Sequence, residues 1–211
     1  MPPVETFAEI ADERRELAAL VSGLTEQQLA TPSLCGEWSV REVVGHLVVP
    51  LEVGLPRFVL TVLASRGSFD RANVRLARGQ ARRPVGELVE VLRRKADSQF
   101  TPPGSGPEAP LTDLVVHGLD IRWPLGLPRA VPERRLRTVL TFLTAAPVGG
   151  IVGKGALDRL RFEATDVDWA HGNGPAVCGP AEALLLAITG RPAALDHLSG
   201  DGVPMLRRRL A

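Results

Sequence analysis

The chain has 211 residues, 45% of them hydrophobic, which is enough to bury a sizeable core in one large domain or two small ones. A formal net charge of +1 excludes the strong positive field that holds a polyanion, so nucleic acid is not an expected partner. The N-terminus is acidic where a signal peptide is basic, and no apolar run reaches the ~20 residues of a membrane span. We therefore expect a cytoplasmic protein with no membrane partner, whose two cysteines, Cys35 and Cys178, are free thiols.

Helices dominate the prediction for the first two thirds of the chain. Apolar residues at helical spacing predict a helix over 4–23, and Thr25 starts a second, short one. Ser39 and Glu42 match a capping box that begins a helix running to about Ala64, with a kink at Pro50. The next predicted helices, on either side of a Pro- and Gly-rich loop at 101–110, are 69–78, 84–99 and 111–122.

The C-terminal third changes character. After a helix over 132–145 and a flexible connection at 147–155, residues 159–169 alternate apolar and polar side chains, as a half-buried strand does. A short strand near Cys178, a helix over 180–190 and a terminal helix complete the chain. The predicted class is therefore α+β, with a helical bundle over residues 1–128 and a small α+β domain over residues 129–211.

Three polar residues interrupt the apolar stretch "DLVVHGLD", namely Asp113, His117 and Asp120. On a helix they fall within a sector of about 60°, so all three face the same way. Asp113 and His117 have the spacing that lets one helix supply two metal ligands, although an Asp–His hydrogen bond is the alternative. If His46 faces them from its own helix, instead of packing in the core, two imidazoles and one carboxylate form a three-ligand set that leaves a coordination position open.

Three ordered motifs carry a family resemblance over nearly the whole chain. "LCGEWSVREVVGHL", "DLVVHGLDIRWPLG" and the segment from "RFEATDVDWAHG" to "GRPAALDHLSGDG" resemble the mycothiol-dependent maleylpyruvate isomerase family, an actinobacterial branch of the DinB-like metal-binding four-helix bundles. The resemblance implies a DinB-like bundle followed by a small sterol-carrier-like domain. It also implies a divalent metal, zinc, on His46, Asp113 and His117, and mycothiol as the low-molecular-weight thiol cosubstrate. A metal-bound thiolate would then isomerise a small electrophile or be transferred to it.

Three residues have alternative roles within this expectation. The family pattern has Glu where this chain has Asp113, whose side chain is one methylene shorter. Either the helix must therefore approach the metal more closely, or Asp113 must bind the metal through a water molecule. Asp120 is expected to orient His117 or Arg122, or else to be a polar group at the helix end. Arg191 is the candidate for recognising a substrate carboxylate, with a structural tie at a helix end as the alternative.

Trp38 and Cys35 precede the His46 helix and could contact the substrate. We expect Trp38 to pack in the bundle and Cys35 to be a buried or turn cysteine. Three further classes stay open for the protein as a whole. Two histidines and a carboxylate also form the facial triad of non-haem iron oxygenases, although those usually lie on a β-barrel. A small-ligand-binding protein with a vestigial metal site and a purely structural bundle are the other two.

Overall fold

Seven helices form the N-terminal unit, Met1–Pro128, of the computed structural model, which describes residues 3–36, 38–127, 131–145, 152–153 and 155–210. They are α1 (Pro3–Ser22), α2 (Glu26–Ala30), α3 (Val40–Glu52), α4 (Leu55–Ala64), α5 (Phe69–Ala81), α6 (Val85–Arg94) and α7 (Glu108–Arg122). Helices α1 and α3 each pack against α6 and α7, and α5 packs along α3. The four helices α1, α3, α6 and α7 thus enclose an apolar core that includes the fully buried Ile10, Val44, Leu88 and Val115.

The start of α3 is fixed locally by its capping box. Ser39 Oγ accepts from the Glu42 N–H, and Glu42 Oε2 accepts from the Ser39 N–H at 2.9 Å, so the predicted cap is confirmed. The other carboxylate oxygen of Glu42 accepts from Arg78 Nε of α5 at 2.9 Å. One side chain therefore both caps α3 and ties it to α5.

Glycine at position 45 lets α3 and α5 approach closely. A Cβ atom there would lie 2.5 Å from the Ala77 carbonyl oxygen and 2.9 Å from the Ala81 nitrogen. No side chain larger than hydrogen fits between the two backbones. The residue next to His46 thus sets the distance between these two helices.

The predicted single helix from Ser39 to Ala64 is wrong. Helix α3 continues through Pro50 but ends at Glu52, and α4 begins at Leu55 after an extended Gly54. Pro56 has no N–H to donate to Glu52, as a continuous helix would need, yet it fits the first turn of a new helix, where that N–H is not used. Helix α7 also begins earlier than predicted, at Glu108, with Pro110 in its first turn.

The C-terminal unit, Arg129–Ala211, holds a three-stranded sheet and helices. Its elements are α8 (Glu133–Ala145), β1 (Arg161–Ala164), β2 (Ala170–Gly172), β3 (Ala176–Gly179), α9 (Ala181–Ile188), a 3₁₀ helix (Pro192–His197) and α10 (Val203–Leu210). The strand order is β2-β1-β3, with β1 antiparallel to β2 and parallel to β3. Helix α9 packs on β1 and β3, and α8 packs on α9, so the predicted α+β class is confirmed.

The strand predicted over 159–169 is shorter in the structure. Only Arg161–Ala164 pairs, and residues 165–168 form bends. Within the bends the Asp166 carboxylate accepts the Ala181 N–H at 2.8 Å, and it thereby satisfies a free amide at the start of α9. Most of the predicted connection at 147–155 lies outside the described residues. None of the described helices is long and apolar enough to cross a membrane.

Candidate metal centre

Helices α3 and α7 bring two histidines to one carboxylate. His46 Nε2 lies 3.3 Å from Asp113 Oδ1, and His117 Nε2 lies 3.4 Å from the same oxygen. The ligand atoms of the three residues are all within 4.8 Å of one another. Asp113 and His117 meet because they are one turn apart on α7, whereas His46 arrives through the packing of α3 on α7.

The second nitrogen of each imidazole has its own partner. His46 Nδ1 lies 3.1 Å from Asn73 Oδ1 of α5, and His117 Nδ1 lies 2.8 Å from Asp120 Oδ2. Because amide and carboxylate oxygens accept hydrogen bonds, each neutral ring carries its proton on Nδ1. When neutral, each ring therefore leaves the lone pair of Nε2 available for a metal.

This donor set fits a divalent metal. Two neutral imidazoles and one carboxylate are ligands that Zn²⁺ accepts, and three protein ligands leave one position for a substrate atom. A hydrogen bond from the outer ring nitrogen to an oxygen is the arrangement that orients metal-binding histidines in proteins. Asp113, although shorter than glutamate, places Oδ1 between the two Nε2 atoms.

The contacts within the cluster shift the pKa values of Asp113 and His117 in opposite directions. Removal from water would raise the pKa of Asp113, but the charge of His46 and hydrogen bonds from His117 and His46 hold it well below its usual range. Burial would likewise lower the pKa of His117, but its contacts with Asp113, Asp120 and Cys35 raise it well above the usual value. In the metal-free cluster these contacts therefore favour the protonated form of His117.

The loop before α3 closes one side of the cluster. The Trp38 ring lies at a tilt against His46, with centroids 5.1 Å apart, and 6.4 Å from the His117 ring. Cys35 forms a second group with His117 and Asp120, whose ligand atoms also lie within 4.8 Å of one another. Both residues thus adjoin the histidines, which goes beyond the packing and turn roles expected for them.

Asn73 is the site residue that the sequence did not suggest. It lies 27 positions from His46 along the chain, in a helix whose own pattern is that of an ordinary amphipathic surface helix. Only the packing of α5 on α3 brings it to the imidazole. No short motif could have indicated it.

Arg191 lies in the C-terminal unit, directly before the 3₁₀ helix, and is half-buried. Its guanidinium donates a hydrogen bond to the Thr189 carbonyl, the carbonyl of the residue that caps α9. This contact is of the kind expected for a tie at a helix end. A role in recognising a substrate carboxylate stays a prediction.

Comparison with known proteins finds a family match for part of the chain. Residues 10–99, which include His46 and Asn73, match the family model of the mycothiol maleylpyruvate isomerase N-terminal domain. This match, over less than half of the chain, agrees with the family resemblance of the motifs. No curated protein sequence matches the chain significantly.

The fold of the whole chain is similar to that of solved structures. One is the crystal structure of the mycothiol-dependent maleylpyruvate isomerase, with a TM-score of 0.63 and 16% identity, covering 95% of this chain and 93% of that one. A histidine-to-alanine mutant of the isomerase gives a TM-score of 0.62 and 14% identity over the same shares of the two chains. At this identity the likeness shows a common fold.

Proposed function

We propose that this protein is a metal-dependent enzyme of mycothiol chemistry, with zinc held by His46, Asp113 and His117. The family of the N-terminal unit and the fold shared with the mycothiol-dependent maleylpyruvate isomerase support this class of activity. The proposed substrate is a small electrophile with an activated double bond. Reversible addition of the thiol gives cis–trans isomerisation, and addition without reversal gives S-transfer.

The observation that carries the proposal is the arrangement of the four imidazole nitrogens. Both Nε2 atoms face one carboxylate oxygen, at 3.3 and 3.4 Å, while both Nδ1 atoms are held by Asn73 and Asp120. A purely structural bundle does not need two histidine Nε2 atoms held against one carboxylate oxygen. The same geometry argues against a vestigial site, since Asp113 reaches both rings despite lacking the methylene group of glutamate.

Each residue of the cluster has a separate role in the proposed reaction. When bound, a zinc ion lowers the pKa of a coordinated thiol so that the sulfur is ionised at neutral pH. His46 and His117 supply neutral donors, and Asp113 supplies a single negative charge, which keeps the centre electrophilic. Asp120 holds the His117 tautomer by accepting its Nδ1 proton. Trp38 covers one side of both rings with apolar surface and so restricts the access of water.

Metal content and turnover test this proposal together. Native protein is purified without added metal and measured by plasma mass spectrometry beside His46→Ala and His117→Ala, with His171→Ala, a histidine of β2, as the control. We expect near-stoichiometric zinc in the wild type and the control, and little in the two cluster variants. Mycothiol-dependent turnover is then assayed with maleylpyruvate as the first electrophile.

Each outcome separates the candidate classes. Loss of both metal and turnover in the two cluster variants supports the enzyme. Wild-type protein that takes up no zinc, nickel or iron on incubation would overturn the metal-dependent mechanism and leave a binding or structural role. Metal without turnover of any tested electrophile would favour a non-catalytic metal protein.

A further inference from the structure

A groove of about 1110 Å³ runs between α4 and α5, within the N-terminal unit. Six arginines line it against two acidic residues, Glu52 and Asp70; the six are Arg57, Arg71, Arg75, Arg78, Arg82 and Arg83. A wall with this excess of positive charge favours an anion. Nothing in the proposed thiol chemistry uses this groove.

Four of these arginines form a stripe on one face of α5 and its C-terminal cap. Arg71, Arg75, Arg78 and Arg82 follow one another at spacings of four, three and four residues, which places them in line along the helix. Asn73 projects about half a turn away from this stripe, toward His46. The groove and the metal cluster therefore use opposite faces of α5.

The stripe is only partly neutralised by the protein. Arg78 pairs with Glu42 at 2.9 Å, and Arg83, at the end of the groove, pairs with Glu52 and Glu87. Within the described part of the chain, no ion pair involves the other four, which are Arg57, Arg71, Arg75 and Arg82. Like charges one turn apart destabilise a helix. Repulsion within the stripe therefore lowers the stability of α5, and a bound anion would relieve that repulsion.

The opposite wall of the groove is largely apolar. Helix α4 has no buried residue, and it turns Arg57, Leu60, Thr61 and Ala64 toward the groove. Leu60 is 65% exposed there, while Leu63, which does not line the groove, is 67% exposed. Apolar side chains of one helix that are exposed to water together indicate a binding surface.

From these two walls we infer that the α4–α5 groove binds an organic anion with an apolar body. Its acid group lies on Arg71 and Arg75, since guanidinium donors match carboxylate and phosphate oxygens. Its hydrocarbon part lies along Leu60 and Ala64. A free acyl or aryl acid and the headgroup region of an anionic lipid share this chemistry.

Dodecyl phosphate, used below its micellar concentration, is the probe, and binding to the full chain is measured by titration calorimetry. Replacing both anchoring arginines, Arg71→Gln with Arg75→Gln, is expected to weaken binding by about tenfold or more. The control pair, Arg93→Gln with Lys95→Gln, removes the same charge from the exposed end of α6 and should leave binding within about twofold. Equal weakening by the two pairs would overturn the proposal, because it would reveal only a general charge effect.

A second matched pair tests the apolar wall. Leu60→Asn is expected to weaken dodecyl phosphate about fivefold, and Leu63→Asn, equally exposed on the same helix, should have little effect. If inorganic phosphate binds as tightly as dodecyl phosphate, the apolar half of the proposal is wrong. Zinc content, unchanged in all these variants, keeps this result separate from the outcome at the metal cluster.

Vesicles distinguish the two sources of the anion. Cosedimentation with phosphatidylglycerol vesicles, absent with phosphatidylcholine and lost in the Arg71→Gln, Arg75→Gln variant, assigns the groove to a lipid headgroup. Binding of monomeric dodecyl phosphate without cosedimentation assigns it to a free acid. Failure of both probes to bind the wild type overturns the inference.

Discussion

Asp120 and His117 are joined across a single turn of α7, with Oδ2 and Nδ1 2.8 Å apart and the carboxylate completely buried. The contact fixes both the rotation of the imidazole ring and its tautomer. Asp120 thus acts on the cluster through His117. A residue in this position should influence metal affinity more than its distance from the coordination site suggests.

Replacing this buried carboxylate should weaken zinc binding. We predict that Asp120→Asn, which keeps the size and one acceptor oxygen but removes the charge, lowers zinc affinity by about 10–100-fold. Competition with a chromophoric chelator measures the effect. Asp166→Asn alters a carboxylate that also accepts a hydrogen bond, at the start of α9, and should leave zinc affinity unchanged. An unaltered affinity in Asp120→Asn would show that His117 does not need this partner.

Zinc binding should strengthen as pH rises through the neutral range. The hydrogen bonds that raise the pKa of His117 stabilise its protonated form, and zinc must displace that proton. The apparent affinity should therefore fall by about tenfold for each pH unit below the pKa of His117 and level off above it. Asp113, whose pKa is held below its usual range, stays ionised and adds no slope.

Chelator competition at several pH values between about 6 and 9 tests this dependence. In Asp120→Asn, one of the contacts that raise the pKa of His117 is weakened, so the levelling-off point should move to lower pH. An affinity that is constant with pH in the wild type would mean that no ligand proton is displaced. His117 would then not be a metal ligand.

Enlarging Gly45 should destabilise the fold. A methyl group at this position meets backbone atoms of Ala77 and Ala81, which cannot move aside as the end of a flexible side chain could. Gly45→Ala should lower the free energy of unfolding by about 1–3 kcal/mol, as measured by urea denaturation. Because α3 must shift relative to α5, zinc affinity should fall as well.

Gly86 in α6 is the matched control, since a Cβ atom there would have no neighbour within 4 Å. Gly86→Ala should raise the free energy of unfolding by about 0.5 kcal/mol, because alanine loses less backbone freedom on folding. Equal effects of the two substitutions would contradict the close approach of α3 and α5 described above.

The buried arginine of α1 should be essential to stability. Arg14 is 3% exposed, and it donates to the carbonyls of Ala96 and Ser98 at 2.8 and 2.6 Å, just beyond the end of α6. Burial lowers the pKa of its guanidinium to about 10, against the opposing charge of Asp97, and this leaves it charged at neutral pH. Arg14→Leu leaves these carbonyls without a donor and should cost about 3 kcal/mol of unfolding free energy.

The neighbouring arginine provides the comparison for this experiment. Arg15 pairs with Asp97 at 2.7 Å, but its side chain is 51% exposed. Arg15→Leu should change the free energy of unfolding by less than about 1 kcal/mol, as exposed ion pairs usually do. Thermal or urea unfolding of the two variants decides whether burial of the donor determines its importance.

The predictable parts of this protein are those set by residues close together in the chain. The capping box at Ser39 and the common face of Asp113, His117 and Asp120 follow from helical spacing alone. His46 was a conditional third ligand of the same predicted site, and the family resemblance supported it. The structure brings these groups together, while their metal-binding role stays a prediction.

What the sequence could not show depends on packing or on competing local signals. Asn73 reaches His46 only because α5 packs along α3. The predicted helix runs past the true end of α3 because the apolar pattern continues to Ala64 across the Gly54–Pro56 junction where the helix actually stops. The position of Asn73 depends on tertiary packing, whereas the end of α3 depends on local Gly and Pro residues that the apolar pattern outweighed.

The cluster is also a potential cross-link. His46 and Asp113 are 67 positions apart, and α4, α5 and α6 all lie between them. A metal bound to both residues clamps α3 to α7 and closes that long stretch of chain into a ring. Since the unfolded chain lacks the assembled site, added zinc should raise the melting temperature by mass action. A metal that takes part in the reaction would thus also stabilise the folded helical bundle.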